Sequence, residues 1–312
     1  MLYRRLGRTG LQVSELSYGA ARGYADRDQF IATVHACLDA GINFVDTATG
    51  YGDSELALGE ALTGHDETIV ETKYCPYESY AVGAAYVGTP EALVASAEES
   101  LRRLRRDHLD ILLGHGMRTI ETFDRFMADG CYDAMVKLRE QGKVRYLGIS
   151  ELSEGDGTHE VLQHAIPTGA FDVVMLTVNM MLQTAVDSVL PLCRQYDVGT
   201  VVMMALNQSS GVSGLTSHEA ALELVRRYVE KGQLPAEAPY TEPDVLDFLQ
   251  PYPIPEAAIR YVLAQDVTTC CVGMSNPRRL AKNLRAVQPP YLDQGRMARL
   301  RELFGGIEWQ VF

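Results

Sequence analysis

Short apolar runs rich in Val, Ile and Leu alternate along the chain with longer segments in which apolar residues recur at helical spacing. That is the pattern of repeated strand and helix units around a parallel sheet. The runs are ELSYG (15–19), NFVDT (43–47), TIVETK (68–73), LDILLGH (109–115), YLGIS (146–150), VVMLTVN (173–179), TVVMMAL (200–206) and TTCCVGM (268–274). The helical segments carry recognisable ends. DQFIATVHACLDAG stops on Gly41 as a C-cap does, and in TPEALVASAEESLRRLR Thr89 precedes Pro90 as an N-cap precedes the first helical residue. Eight strands interleaved with helices predict an α/β fold, a (β/α)8 TIM barrel formed by residues 1–312 as one domain.

Ahead of the first barrel strand, YRRLGRTGLQVS reads as a β-hairpin that plugs the barrel floor. Extra helices are predicted at the C-terminus in PRRLAKNLRAV and DQGRMARLRELF, with Trp309 in the tail. Three connections are longer than linking requires, at 74–88, 116–130 and 207–253, and long excursions on the strand-exit side serve as pocket walls or lids. The first carries Tyr74, Tyr77, Tyr80 and Tyr86; the third holds a predicted helix in HEAALELVRRYVEK.

Charge narrows the partners. Lys plus Arg total 28 against 41 Asp plus Glu, a net charge of -13, which repels nucleic acid and anionic lipid. No apolar run has the length of a membrane span, and MLYRRLGRTG lacks the apolar stretch of a secretory signal, so the chain reads as cytoplasmic. The six cysteines show no CxxC spacing, which argues against a disulfide framework or zinc site, and Cys270 and Cys271 are expected to pack as small hydrophobes. The histidines show no metal spacing either, and no metal is expected. Arg102, Arg103, Arg105 and Arg106 read as a solvated helix end, favourable to its dipole.

Four ionisable residues fall where consecutive strands end: Asp46 and Tyr51 in NFVDTATGYGDSE, Lys73 in TIVETK and His115 in LDILLGH. A phenol has a pKa of about 10, too high for efficient proton transfer at neutral pH unless a nearby cation stabilises the phenolate. Lys73 supplies such a charge, and a lysine drawn below a barrel rim needs a counter-ion, for which Asp46 is placed. His115 is suited to hydrogen-bond a substrate oxygen or to relay a proton.

Asp46-Thr-Ala-Thr-Gly-Tyr51-Gly-Asp-Ser-Glu55, followed by Leu58-Gly59-Glu60-Ala61-Leu62, resembles the DTAxxYGxSExxLGxAL signature of the aldo-keto reductase superfamily. The resemblance extends from YRRLGRTGLQVS through QGKVRYLGIS to SNPRRLAKNL, over essentially the whole barrel. It implies a catalytic tetrad of Asp46, Tyr51, Lys73 and His115. It also implies hydride transfer between a nicotinamide cofactor and the carbonyl or alcohol carbon of an aldehyde, ketone or sugar, with Tyr51 as general acid or base.

For the cofactor, the resemblance implies that Ser150 holds the carboxamide. Glu151, also expected to contact the cofactor, stands where the family usually has asparagine, Met175 where it often has glutamine, with Asn179 nearby, and Met203-Met204-Ala205-Leu206 where it has an aromatic segment. These departures are shared by the branch resembling L-galactose, L-fucose and related aldose dehydrogenases, which brings a sugar into view. Arg279 and Asn283 match the family's pair for a 2′-phosphate and adenine, so NADP is expected over NAD, although the family's frequent upstream lysine is Gly273. Two alternatives stand beside this: a redox-sensing regulatory subunit with little turnover, as the superfamily's potassium-channel β subunits are, and a non-redox isomerase or lyase on the same barrel. Oligomeric state is not encoded in any pattern along the chain.

Overall fold

Period-two alternation gives each apolar run one row of side chains facing inward and another facing the helices. In the computed structural model, which describes residues 1–79, 81, 83–152, 156–208 and 213–308, the eight runs become eight parallel strands closed into a barrel in chain order. They are β1 (Leu16–Gly19), β2 (Phe44–Asp46), β3 (Ile69–Tyr74), β4 (Leu109–Met117), β5 (Val144–Glu151), β6 (Val173–Thr177), β7 (Gly199–Met203) and β8 (Thr269–Gly273). Pairing of β8 with β1, from Cys270 opposite Leu16 to Gly273 opposite Gly19, closes the cylinder. The barrel interior is filled by Phe44, Ile69, Ile111, Leu113, Val173 and Val201, among others. Val45, Val70, Leu112, Val174 and Val202 lie instead in the larger cluster that includes buried helix residues such as Phe30 and Leu93.

The predicted hairpin is present: Tyr3–Arg5 and Gln12–Ser14 pair antiparallel. Leu6 and Val13 are fully buried in the interior cluster. A Cβ on Gly199, the first residue of β7, would lie 2.7 Å from Leu6 Cδ1, so this floor plug needs a glycine beneath it.

Helix ends follow the sequence. Asp26 accepts from Gln29 N–H at 3.1 Å to start Arg27–Asp39, Gly41 follows that helix at φ 87, and Thr89 accepts from Ala92 N–H at 3.2 Å to start Pro90–Leu104. The C-terminal helices are Pro277–Asn283 and Gln294–Phe304, and the third long connection holds His218–Glu230.

Two expectations change. Residues 116–130 are not an open connection, because β4 runs on to Met117 and a helix forms over Ile120–Ala128, started by the reciprocal Thr119 and Thr122 cap. The arginine run is less solvated than its charge suggests: Arg106 donates to the carbonyls of His65, Asp66 and Thr68 at 2.9–3.1 Å, tying its helix to the segment entering β3. Tyr80 and Trp309 lie outside the described residues. No helix among the described residues is long and apolar enough to cross a membrane.

The Leu58-Gly59 step shows why a signature can demand a glycine. A Cβ on Gly59, in the helix Ser54–Ala61, would come within 2.2 Å of the Arg103 carbonyl oxygen and 3.0 Å of Leu104 on the neighbouring helix. Gly59→Ala is expected to lower folding stability by about 1–3 kcal/mol, the cost of overpacking a close helix contact. A fall in the urea midpoint at unchanged slope would show this; an unshifted midpoint would mean that the helices separate freely here.

Candidate active site

Alternation along the strands places the four candidate residues. Asp46 lies two residues after Phe44, Lys73 two after Glu71 and four after Ile69, and His115 two after Leu113; Phe44, Ile69 and Leu113 all belong to the interior cluster. Their side chains therefore enter the barrel from β2, β3 and β4 at the strand-exit end. Tyr51 comes from the turn between β2 and the helix Ser54–Ala61, where Tyr51 N–H bonds the Ala48 carbonyl at 3.0 Å and Ser54 N–H bonds the Tyr51 carbonyl at 3.1 Å. Gly52, at φ 56, lets the chain turn there.

The four side chains converge. Lys73 Nζ donates to Asp46 Oδ1, and to the Thr47 carbonyl at 2.7 Å. The same ammonium stands 5.0 Å from the centroid of the Tyr51 ring. Tyr51 meets His115 edge to face, with ring centroids 5.8 Å apart and planes at 83°. Immediately after His115 the pairing of β4 with β5 shifts register between Gly114 and Met117, with Gly116 at φ 67. Such a bulge re-aims the end of a strand; here it brings Gly116 N–H to the Ser150 hydroxyl oxygen at 2.8 Å.

Each ionisation follows from the surroundings. Burial alone would lower the Lys73 ammonium, but Asp46 first, then Tyr51 and Glu71, outweigh it and hold the lysine above its ordinary value. Tyr51 shows the opposite balance: burial raises its hydroxyl, Lys73 opposes by charge and hydrogen bonding, and burial wins. The expected cation effect is therefore present but outweighed. His115 is driven well below the usual imidazole range, by burial first and then by Lys73 and Arg118. It is a neutral ring and acts as a hydrogen-bonding group rather than a charge.

The residues read as cofactor contacts divide. Ser150 shares the inward phase of β5 with Tyr146 and lies at the mouth, its hydroxyl accepting from Gly116. Glu151 points the other way. Its Oε1 accepts from Thr177 N–H at 2.7 Å and its Oε2 lies 2.7 Å from His159 Nδ1, while His159 Nε2 lies 2.8 Å from the Thr184 hydroxyl. Burial lowers the His159 ring, but Glu151, by charge and hydrogen bonding, outweighs it and raises the ring above its ordinary value. Asn179 is likewise engaged, accepting from Met181 and Leu182 N–H at 3.0 and 2.9 Å and donating to the Met204 carbonyl at 3.1 Å. Met175 is packed in the barrel interior. On the helix Pro277–Asn283, Asn283 is buried while Arg279 is exposed, its side chain without an ion pair among the described residues. Gly19 and Gly273 face one another in register, and Gly19 continues the pairing to Asp46, so neither of these last two seam residues adds a side chain at the mouth, although Cys271 Sγ lies 3.1 Å from where a Cβ on Gly19 would sit.

Three features had no clear sequence signal. Arg118, 7 % exposed, stacks 3.9 Å from the centroid of Tyr77 and donates to the carbonyls of Ser79 and Ala84 at 2.8 and 3.1 Å, clamping the 74–88 connection. The expectation for the paired cysteines holds for Cys270, buried in the outer cluster, but not fully for Cys271, which faces inward with Sγ 3.8 Å from Asp46 Oδ2. None of the six cysteines is in a disulfide. Glu71 shares the inward phase with Lys73 and is fully buried beneath it.

A proton-transfer cluster at the exit end of a closed parallel barrel is what the sequence resemblance implies, and a family model matches residues 15–304, described as the aldo/keto reductase family. The chain belongs to that family. It is an oxidoreductase, similar to L-galactose dehydrogenase of Arabidopsis thaliana, with 29 % identity across 91 % of this chain and 87 % of the relative. It is also similar to the NADH-specific methylglyoxal reductase of Escherichia coli (strain K12), with 26 % identity across 90 % of each. Among solved structures, an aldo-keto reductase from Bacillus halodurans in its holo form superposes with a TM-score of 0.75 at 24 % identity, covering 99 % of this chain and 98 % of that one, which shows the shared fold.

Because burial, Lys73 and Arg118 all disfavour the imidazolium, His115 stays neutral far below the ordinary value of 6.5. Ring resonances assigned to His115 by magnetic resonance should therefore show no titration between about pH 5 and 8. An inflection near 6.5 would mean that the ring is solvated in the protein.

Proposed function

We propose that this aldo/keto reductase is an NADP-dependent enzyme reducing an aldehyde or ketone, or oxidising the corresponding alcohol or sugar hemiacetal, with Tyr51 as general acid or base. The carrying observation is the Lys73 ammonium held by Asp46 and the Thr47 carbonyl, 5.0 Å from the Tyr51 ring. Ser150 retains its hydroxyl proton to donate to a carboxamide oxygen, since Gly116 N–H occupies its acceptor side. Gly273 at the mouth, where an added Cβ would meet only the Gly19 carbonyl oxygen at 3.9 Å, leaves room for a flat ring, and the exposed Arg279 offers forked donors to a 2′-phosphate. The donors present thus fit a nicotinamide dinucleotide, which when bound supplies or accepts the hydride at the carbonyl carbon.

The protein's own part is the proton. In reduction the Tyr51 O–H bond breaks and the proton goes to the substrate oxygen as charge builds there; the phenolate left behind is stabilised by Lys73, whose charge Asp46 balances. In oxidation the same steps reverse, and Tyr51 takes the proton of the alcohol. His115, neutral and beside the Tyr51 ring, hydrogen-bonds the substrate oxygen and fixes its direction. The similarity to L-galactose dehydrogenase supports a sugar substrate, and that to methylglyoxal reductase a small carbonyl compound. The NADH specificity in the second relative's name, with Gly273 where a lysine would add charge, favours NAD as the second reading of the cofactor.

Tyr51→Phe is expected to lower kcat by about 10²–10⁴-fold, the usual worth of general acid–base catalysis, with cofactor affinity nearly unchanged. Turnover at the wild-type rate would reject Tyr51 as the proton donor. Arg279→Ala should weaken NADPH binding by roughly ten- to a hundredfold, the worth of hydrogen bonds to a charged group, and leave NADH binding almost unaltered. Equal changes for both in fluorescence titration would move the assignment to NAD.

A further inference from the structure

The chemistry assigned to Tyr51 makes no use of a second carboxyl inside the barrel. Glu71 is the register partner of Asp46 across β2 and β3 and precedes Lys73 by two residues on the inward face. It is 0 % exposed, and neither carboxyl oxygen meets hydrogen-bond geometry with a donor among the described residues. A buried carboxylate normally collects two or three donors, and one without them is kept neutral. The groups around it point the same way. Asp46 faces it from β2 and acts on it more strongly than Lys73 on its own strand. From β8 comes the thiol of Cys271, itself pushed well up by burial, Asp46 and Glu71; the register partner of Glu71 on β4 is the apolar Ile111. One ammonium thus serves two carboxyl groups, and two like charges beside a single cation do not both form in a dry interior.

We propose that Glu71 is a protonated acid that acts through Asp46 as a positioning residue, its O–H directed to the Asp46 carboxylate so that a single anion stands beside Lys73. This inference rests on the acid–base role of Tyr51. Ionisation of Glu71 at alkaline pH adds a second negative charge beneath Lys73. That charge stabilises the protonated forms of Lys73 and Tyr51, which makes the tyrosine a weaker acid and slows turnover. Burial and Asp46 hold the Glu71 acid well above 4.5 in the folded protein. Its contribution to stability is therefore complete below that value and is lost as pH rises through the folded one.

The test compares wild type with Glu71→Gln, which keeps the shape and cannot ionise. At neutral pH the infrared difference spectrum should contain the carbonyl stretch of a protonated carboxylic acid, present in wild type and absent from the variant. The variant should keep kcat within about threefold at neutral pH and retain activity at an alkaline pH where wild type has lost about tenfold, one unit of titration. Its melting temperature should exceed that of wild type by an amount that grows with pH. A missing carbonyl band overturns the protonated state, and the band is read on wild type whether or not the variant folds well. An alkaline limb that does not move overturns the action through Asp46. If Tyr51 is not the proton donor, Tyr51→Phe stays active while the infrared band is unaffected, so the two failures are distinguishable.

Discussion

An ammonium buried inside a protein barrel is the constraint on which the rest of this structure turns. Removing an ion from water costs several kcal/mol even after relaxation, and the cost is recovered only when charge and hydrogen-bond partners are placed in advance. Lys73 has 0 % exposure and receives the Asp46 carboxylate and the Thr47 carbonyl, both from the end of the strand beside its own. Those positions depend on the cylinder being closed and in register, with Asp46 opposite Glu71 and Lys73 opposite Leu113. The apolar interior below, the hairpin plug and the tight helix contact at Gly59 serve the same end, because a loosened barrel would admit water to the ion pair and remove its leverage on Tyr51.

That leverage is a contest between burial and charge. Burial raises the Tyr51 hydroxyl, and Lys73 opposes it without prevailing. The phenol therefore rests protonated and, in the role proposed for it, requires a developing negative charge on a substrate oxygen before it gives up its proton. A tyrosine already ionised at rest would have nothing to donate in reduction. The same environment leaves His115 uncharged, so the two rings differ in kind as well as in position: in the proposed mechanism one releases a proton and the other orients the atom that receives it.

Much of this was legible in the sequence because strand periodicity is simple. Once Phe44, Ile69 and Leu113 are read as interior residues, Asp46, Lys73 and His115 must also point inward, and the strand-exit ends bring them together. What escaped was set by partners remote in the chain. Glu71 stands openly in TIVETK and its inward phase could have been read, but its lack of donors belongs to the assembled interior. Glu151 looked like a cofactor contact from its place after Ser150, yet alternation turns it to the opposite face, where Thr177 and His159 take both of its oxygens. Arg118, buried just past a strand end, clamps a connection 34 to 39 residues earlier in the chain, and an arginine at that place in the sequence gives no local sign of it.

The two ends of the proposed cofactor path differ in how the protein spends its rigidity. At the tetrad end Asp46 and Lys73 are buried and hydrogen-bonded to one another, with the half-buried Tyr51 and His115 rings packed beside them, so small changes in position would alter the proposed proton transfer directly. At the proposed adenosine end Arg279 is exposed on a short helix whose cap, Asn276 accepting from Arg279 N–H at 3.0 Å, fixes the backbone and leaves the side chain in solvent. An exposed cation discriminates a phosphate by charge that salt screens, whereas the buried cluster is shielded from salt. Cofactor preference is therefore the more easily altered property of this barrel, and the proton chemistry, embedded in the register of β2, β3 and β4, the least.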